Sequence, residues 1–405
     1  MTFEFRPAQP EEMREFAYLG AITFGGSTDE REIERRTAED MRRPENTLCA
    51  FEDGAMVARM ATLPFTISWH GRTIGCGGVS AVGTLPTHRR RGLLRELMMR
   101  AFVAMREHDQ PIAMLWASMA AIYQRFGYGH CAPLYVATCD PRAIRFVDEI
   151  VVPGRVRLVR GEAVLPALAS AYDRFAAERP LMLARDAAHW QNFRLRRWDE
   201  NRPPSLYALY EEAGQPLGYI IYDVQREQRR GPDQKLIVQE LVWNAPAAHR
   251  ALVQYLLAHD LAFALEFRAL PLDDPLPSHT QEPRDLGLTW RDGAMVRIVD
   301  VAAALSSRAY AADGRLTFTL ADEICPWNAG AWTLEAEGGS GRVVQSDRPA
   351  DLTLTPRALA LLACGTTSAT QLCRQGLIPP ASPRALRLAD ALFHTPVAPF
   401  CADFF

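Results

Sequence analysis

One segment constrains the fold more than any other: GGVSAVGTLPTHRRRGLLRELMMRAFVAM, Gly77 to Met105. Its first part, Gly77 to Pro86, is glycine-rich and short-chained and reads as an extended strand. From Leu93 onward the apolar residues fall at Leu93, Leu94, Leu97, Met98, Ala101, Phe102 and Met105. That period of about 3.6 residues predicts a helix from near Gly92 to about His108. Between strand and helix sit His88, Arg89, Arg90 and Arg91, closed by a single glycine, Gly92. Such a junction suits an anion, because the unpaired N–H groups of a helix N-terminus point outward and the helix dipole adds positive charge. Gly92 lets a phosphate approach the backbone, and the arginines supply charge-assisted hydrogen bonds. Neither standard nucleotide loop is present, Gly-x-Gly-x-x-Gly or Gly-x-x-x-x-Gly-Lys-Ser/Thr. Read alone, the run also admits an ordinary solvated helix start, with a grip on nucleic acid as the weaker alternative.

Around this segment the chain alternates strands and helices. Ala55 to Trp69 is rich in β-favouring residues and ends at the turn His70-Gly71-Arg72. Pro111 to Ser118 is a continuous apolar run, as expected of a strand covered on both faces. The short helix AAIYQRF follows and stops at Gly127. A second unit begins near Pro153 to Gly161, with helices near Ala163–Ala177 and Ala187–Arg197. Strands SLYALYEE, LGYIIYDVQ and Leu236 to Trp243 come next, then a helix from Ala247 to Leu261. After Arg291 to Tyr310 the texture changes to alternating strands such as GRLTFTLAD and WTLEAEGG. Three units are therefore expected, over residues 1–150, 151–295 and 296–405, packed closely because no low-complexity linker separates them.

The 45 Lys plus Arg against 48 Asp plus Glu leave a formal net charge of −3, which disfavours nucleic acid as the partner of the arginine run. The eight cysteines contain no Cys-x-x-Cys pair, so neither a zinc site nor a disulfide framework is indicated, and a reducing cytoplasm fits. The N-terminal residues lack the order of a signal peptide. No apolar stretch approaches the roughly 20 residues of a membrane helix. The histidines show no metal-ligand pairing, so no metal is inferred.

Arg89-Arg90-Arg91-Gly92-Leu93-Leu94 resembles the Arg/Gln-x-x-Gly-x-Gly/Ala pyrophosphate loop of GNAT N-acetyltransferases, departing from it at Leu94. Val82-Gly83-Thr84-Leu85-Pro86 sits where that family's splayed strand holds the pantetheine arm of acetyl-coenzyme A. IYQRFGYG, Ile122 to Gly129, looks like the family's tyrosine followed by Phe-Gly-Phe/Tyr. The whole chain is similar to one branch, the enhanced intracellular survival (Eis) acetyltransferases. The resemblance implies an α/β (α+β) architecture of two tandem GNAT-like mixed-sheet units and a C-terminal sterol-carrier-like α+β domain. It implies a catalytic first unit, a second unit that lacks the basic glycine loop and is a non-catalytic repeat, and a third domain that delivers the C-terminus. Acetyl-coenzyme A would be held by Val82, Gly83, Thr84, Arg90, Arg91, Gly92, Leu93, Leu94, Arg95, Ser118 and Met119. The partner would be a small-molecule amine, with no nucleic acid and no membrane, and the assembly a homo-oligomer, a hexamer by resemblance.

Acetyl transfer from a thioester to an amine needs a proton for the departing thiolate and a site to receive the amine's proton. Tyr123 occupies the family's acid position, and Tyr128 packs as the aromatic of the motif. No carboxylate neighbours Tyr123 in sequence, but in Eis-type enzymes the chain's own terminal carboxylate serves. The last six residues, Phe400 to Phe405, carry three phenylalanines and one charged side chain, so this end reads as docked rather than disordered. An α-carboxyl, with an intrinsic pKa of about 3.5, is ionised at neutral pH, which makes the Phe405 carboxylate the candidate base. Phe404 supplies no charge where aminoglycoside-acetylating relatives can have an acid. Asp29, Glu30 and Glu34 are candidates for negative potential near the pocket. The rival reading is a lipid or acyl carrier built on the third domain, with degenerate GNAT units.

Overall fold

A computed structural model describes residues 2–39, 43–160, 164–190 and 205–405. The chain opens with β1 (Glu4–Arg6), α1 (Met13–Phe24), α2 (Glu30–Glu39), β2 (Thr47–Glu52), β3 (Ala55–Trp69) and β4 (Arg72–Thr84). It continues through α3 (Leu93–Glu107), β5 (Ile112–Trp116), α4 (Ala120–Gln124) and β6 (Gly129–Cys139). The middle holds β7 (Arg155–Val159), α5 (Leu165–Glu178), α6 (Ala187–His189), β8 (Leu206–Glu212), β9 (Gln215–Arg226), β10 (Gln234–Trp243), α7 (Pro246–Leu257), β11 (Ala262–Pro271) and α8 (Leu276–His279). The last part runs β12 (Thr289–Ile298), α9 (Val301–Ser306), β13 (Gly314–Leu320), β14 (Gly330–Glu337), β15 (Ser340–Gln345), β16 (Leu352–Leu354), α10 (Pro356–Ala363), α11 (Ala369–Arg374) and α12 (Pro383–Leu392). These elements fall into two compact units. One takes the residues up to Cys131, Ala294–His394 and Phe404–Phe405; the other takes Ala132–Gly293 and Thr395–Asp403.

In the first unit the strands are ordered β1-β2-β3-β4-β5-β12. Helices α1 and α3 cover opposite faces. Met13, Phe16 and Leu19 of α1 pack with Cys49, Phe51 and Ala61. Leu93, Leu97, Met98, Ala101, Phe102 and Met105 of α3 pack with Ala50, Met60, Val79 and Leu115. Each large α3 side chain contributes roughly 1.5–3 kcal/mol by leaving water. The unit also holds a separate sheet ordered β15-β14-β13-β16. In the second unit the order is β6-β11-β10-β9-β8-β7.

The periodic segments fold as expected: β3 spans Ala55–Trp69 and α3 runs from Leu93 to Glu107, capped by Gly92 and His108. Helix α7 ends at Leu257, four residues before the expected Leu261, because the chain must turn to enter β11. The expected helix over Ala187–Arg197 lies outside the described residues beyond Trp190; its described part is the single turn α6, capped by the Asp186 carboxylate, which accepts from the His189 N–H. Several strands went unread in the sequence, among them β1, β2, β6, β11, β12, β15 and β16. Of these, β12 closes the first unit's sheet, pairing antiparallel with β5 from Ala294↔Trp116 to Ile298↔Ile112.

Candidate active site

The site is built where β4 and β5 part. The two strands pair in parallel from Cys76↔Ile112 to Val79↔Leu115 and no further. β4 runs on for five more residues beside β3, to Gly83↔Arg59 and Thr84↔Ala58. Its register slips between Ala61↔Ser80 and Arg59↔Gly83, which inserts one extra residue. Ala81 absorbs it in the left-handed region, φ 55°, a β-bulge that turns the strand away from its neighbour. Gly83 admits helix α1: a Cβ there would lie 2.8 Å from Thr23 Oγ1 and 3.3 Å from Leu19. Its lack of a side chain thus serves helix packing, while Val82 and Thr84 stay half-buried.

Beyond Thr84 the chain turns at Pro86–His88 and enters α3 through two left-handed residues, Arg90 (φ 63°) and Gly92 (φ 82°). No side chain caps this helix, so its first N–H groups face outward. The basic residues divide their work. His88 and Arg91 both hold Glu52, at 2.8 and 3.2 Å, and the His88 bond first, then Arg91, keep that carboxyl below its ordinary pKa. Arg91 also lies 5.2 Å from the Phe3 ring. Arg90 and Arg95 are exposed and have no ion-pair partner among the described residues, which leaves both cations available. Leu93 is buried, and Leu94 packs half-buried on the same apolar cluster rather than over the helix mouth. The departure at Leu94 therefore leaves the cradle open.

After β5, Ser118 and Met119 are exposed, and Met119 precedes α4 in extended conformation. Tyr123 on α4 is 6% exposed and shares the α3-side cluster with Val79 and Leu115, the last paired residues of the two strands. Burial raises its pKa, so the phenol keeps its proton at neutral pH. Tyr128 is fully buried, 6.1 Å from the Phe102 ring and 6.2 Å from Tyr123, and packs as expected. Gly127 between them has φ 85°, and the Arg297 guanidinium occupies the place of its absent Cβ.

The chain terminus meets the same point from the other face. The Phe405 ring lies 4.9 Å from Phe65, edge-on, and its Cε2 would be 3.0 Å from a Cβ on Gly78. Phe404 is 74% exposed and stands 5.5 Å from Trp116, the last residue of β5. Gly78 and Val79 are consecutive on β4 and so face opposite sides. The Tyr123 side chain and the Phe405 ring thus lie on opposite faces of the sheet beside the point where the two strands part. Sequence reasoning missed Phe65, Gly78 and Trp116; the run Gly75-Cys76-Gly77-Gly78 was the cue, since so many glycines in a strand mark close approach. Of the acidic candidates, Glu30 is paired with Arg14, whereas Asp29 caps α2 locally through the Arg31 N–H, and Glu34 is exposed.

The second unit lacks this cradle. Only Asn244 and Ala245 separate β10 from α7, which starts at Pro246 without a left-handed glycine. Among the described residues no cluster of His, Cys, Asp or Glu could hold a metal ion, and no helix is long and apolar enough to cross a membrane.

Comparison with known proteins places these features in a family. Families described as acetyltransferase (GNAT) domain match residues 4–131 and 181–298, and a sterol carrier protein domain matches 301–402. An uncharacterised N-acetyltransferase of Streptomyces avermitilis is 31% identical over 386 residues, 93% of each chain. N-acetyltransferase Eis of Mycobacterium tuberculosis is 31% identical over 328 residues, 79% of this chain and 78% of its own. The crystal structure of Eis1 from Mycobacterium abscessus superposes with a TM-score of 0.85 at 28% identity, covering 99% of this chain and all of that one.

Proposed function

Because the chain belongs to the Eis-like GNAT N-acetyltransferases with a sterol-carrier-like domain, we propose that it moves an acetyl group directly onto a primary amine of a small molecule, with Tyr123 as acid and the Phe405 carboxylate as base. GNAT enzymes use acetyl-coenzyme A, which supplies the activated acyl thioester. The uncapped helix mouth at Gly92, with Arg90 and Arg95 unpaired beside it, fits a pyrophosphate. The bulged edge Val82–Thr84 fits an extended arm that needs backbone hydrogen bonds, and Arg91, Leu93, Leu94, Ser118 and Met119 border the same path.

The observation that carries the reading is the docking of Phe405 on Phe65 and Gly78 where β4 leaves β5, opposite the face that holds Tyr123. Tyr123, kept protonated by burial, donates to the leaving sulfur from one face. The terminal carboxylate receives the amine's proton from the other. Two proton movements then proceed without either group crossing the sheet. Phe404 and Trp116 line the entrance with aromatic rather than acidic surface, which favours amines carried on an apolar or aromatic body over polycations such as aminoglycosides.

We divide the work along the chain as a catalytic domain over 1–150, a non-catalytic GNAT-like repeat over 151–295 and a sterol-carrier-like domain over 296–405. The family matches at 4–131, 181–298 and 301–402 support that division. A cytoplasmic hexamer is the assembly and location the likeness to Eis-type proteins suggests, and light scattering tests the number. The deciding experiment is free-thiol release from acetyl-coenzyme A over a panel of amines, for wild type, Tyr123→Phe and a chain lacking Phe405. A loss of about 10²-fold or more is expected for each variant. Wild-type turnover in both would remove the assigned acid and base.

A further inference from the structure

The second unit repeats the strand geometry of the first. Its strands β10 and β11 pair in parallel from Gln234↔Ala262 to Val238↔Phe267 and no further. Past that point β10 is bulged, Val238↔Tyr222 being followed by Glu240↔Ile221. In the first unit the corresponding opening has a basic glycine loop beside it; here it is filled by the chain's own tail. Glu240, Leu241 and Val242 of β10, Ala269 of β11, and Phe400 and Ala402 of the tail enclose one narrow cleft.

The tail is held at three successive places. Ala398 donates its N–H to Asp273 (3.0 Å) and accepts from Arg179 (3.2 Å), which is itself paired with Asp273 at 2.7 Å. The Phe400 N–H donates to the Pro180 carbonyl at 3.0 Å. Asp403 then enters a buried charge cluster. Arg185 Nε donates to both of its carboxylate oxygens at 3.2 Å, His189 Nε2 stands 2.9 Å from Oδ1, and Tyr172 donates at 3.3 Å. The same guanidinium donates to Glu240 at 2.5 and 3.1 Å, while Tyr219 donates to Glu240 at 2.7 Å. Arg185 also lies 3.7 Å from the face of Tyr172. The side chains of Arg185, Glu240 and Asp403 are all within 3% of full burial.

We propose that the second GNAT-like unit is a binding site for an extended acidic peptide, and that its ligand is this chain's own segment Ala398–Asp403. Arg185, Glu240 and His189 are positioning residues, and the proposal rests on the reading of the Phe405 carboxylate as base. An apolar tail alone can slide along a groove. A buried carboxylate cannot, because any shift takes it away from Arg185, His189 and Tyr172 and leaves it buried without partners. Asp403 therefore sets the register of the tail. Only two residues follow it, and two residues reach at most about 7 Å. Fixing Asp403 confines the terminal carboxylate to that radius, whereas an unanchored tail would spread it over a much larger volume. The repeat has exchanged a cofactor's arm for a peptide of the same chain.

The test compares full-length Asp403→Asn with the chain lacking Phe405. Asp403→Asn leaves the Arg185–Glu240 pair intact, so the thermal midpoint should stay within a few degrees. Its kcat should fall at least tenfold with KM for acetyl-coenzyme A within twofold, because the pyrophosphate seat is untouched. Carboxypeptidase A should release Phe405 and Phe404 at least tenfold faster than from wild type. Wild-type release from Asp403→Asn overturns the anchor, and faster release at wild-type kcat overturns its role in positioning. Wild-type turnover by the chain lacking Phe405 overturns the base reading alone, leaving the release rates to decide the anchor.

Discussion

At the scale of single residues, backbone conformation separates what is needed for binding from what is needed for packing. Gly92 adopts φ 82° with no protein atom within 4 Å of where its Cβ would be, so a side chain there meets backbone strain and no clash within the protein. Gly92→Ala should raise KM for acetyl-coenzyme A several-fold, since about 1–2 kcal/mol drives a left-handed alanine to relax out of the conformation that opens the helix mouth and its methyl stands in the phosphate's approach, and leave kcat near wild type; steady-state kinetics at saturating amine reads this. Gly127 is the opposite case. Its φ of 85° is compounded by Arg297, whose guanidinium fills the side-chain position and donates to Asp322 at 2.5 Å. Gly127→Ala should therefore destabilise the fold by several kcal/mol by displacing a buried ion pair, and urea unfolding of that variant checks it.

At the scale of elements, strand β4 is shaped by glycines that serve opposite faces. A Cβ on Gly77 would strike Met105 of α3 at 2.6 Å, whereas one on Gly78 would strike Phe65 at 2.2 Å and Phe405 at 3.0 Å. A Cβ on Gly75 would meet the Asp109 carbonyl at 2.3 Å, which is backbone and cannot rotate aside. Gly75→Ala should thus cost stability, and Gly78→Ala should cost turnover: its Cβ meets only ring atoms, those of half-buried Phe65 first and then Phe405, and turning the Phe65 ring aside displaces the terminal ring that rests on it. The expected split is a kcat reduced at least tenfold with little change in midpoint for Gly78→Ala, and the reverse for Gly75→Ala. Equal effects on both quantities in both variants would show that the terminal ring is not what Gly78 accommodates.

At the scale of the molecule, the first unit is joined across long sequence distances by buried polar contacts. Trp69 donates to the Ala304 carbonyl at 2.8 Å, and Arg308 lies 3.1 Å from His70 Nε2. Burial, and then Arg308, push the His70 pKa well below its ordinary value. The neutral ring must accept the arginine's hydrogen bond, which protonation would abolish. As pH falls below about 6.5 the unfolded chain takes up a proton that the folded chain refuses, so stability falls with pH. Between pH 7.5 and 5.5, a window above the carboxylate range, the loss should be on the order of 1 kcal/mol. Thermal midpoints should drop more steeply for wild type than for His70→Asn, which keeps a residue tolerant of the left-handed φ of 48° at this turn; parallel slopes would assign the acid sensitivity elsewhere.

Local pattern was enough to read the strand Ala55–Trp69, the helix from Leu93 and the glycine loop before it, because period, capping and turn chemistry act over a few residues. The family and its acyl chemistry were legible for the same reason: Arg89–Leu94 and Tyr123–Gly129 are contiguous. What the chain's neighbours in space decide was not legible. β12 joins the first unit's sheet from about 180 residues away, and its run Ala294–Ile298 reads equally as the start of a new domain. The end Phe404–Phe405 read as docked, with its carboxylate named as base through the family resemblance; that the Phe405 ring lies over Gly78 depends on strands paired far upstream. Asp403 looked like one isolated charge, and only the packing of β10, α5 and the turn at α6 makes it a buried lock. Side-chain identity determined which chemistry this protein can carry, because phosphate seats and helix caps are local; the fold decided where that chemistry converges, because an opening between two strands belongs to neither strand alone.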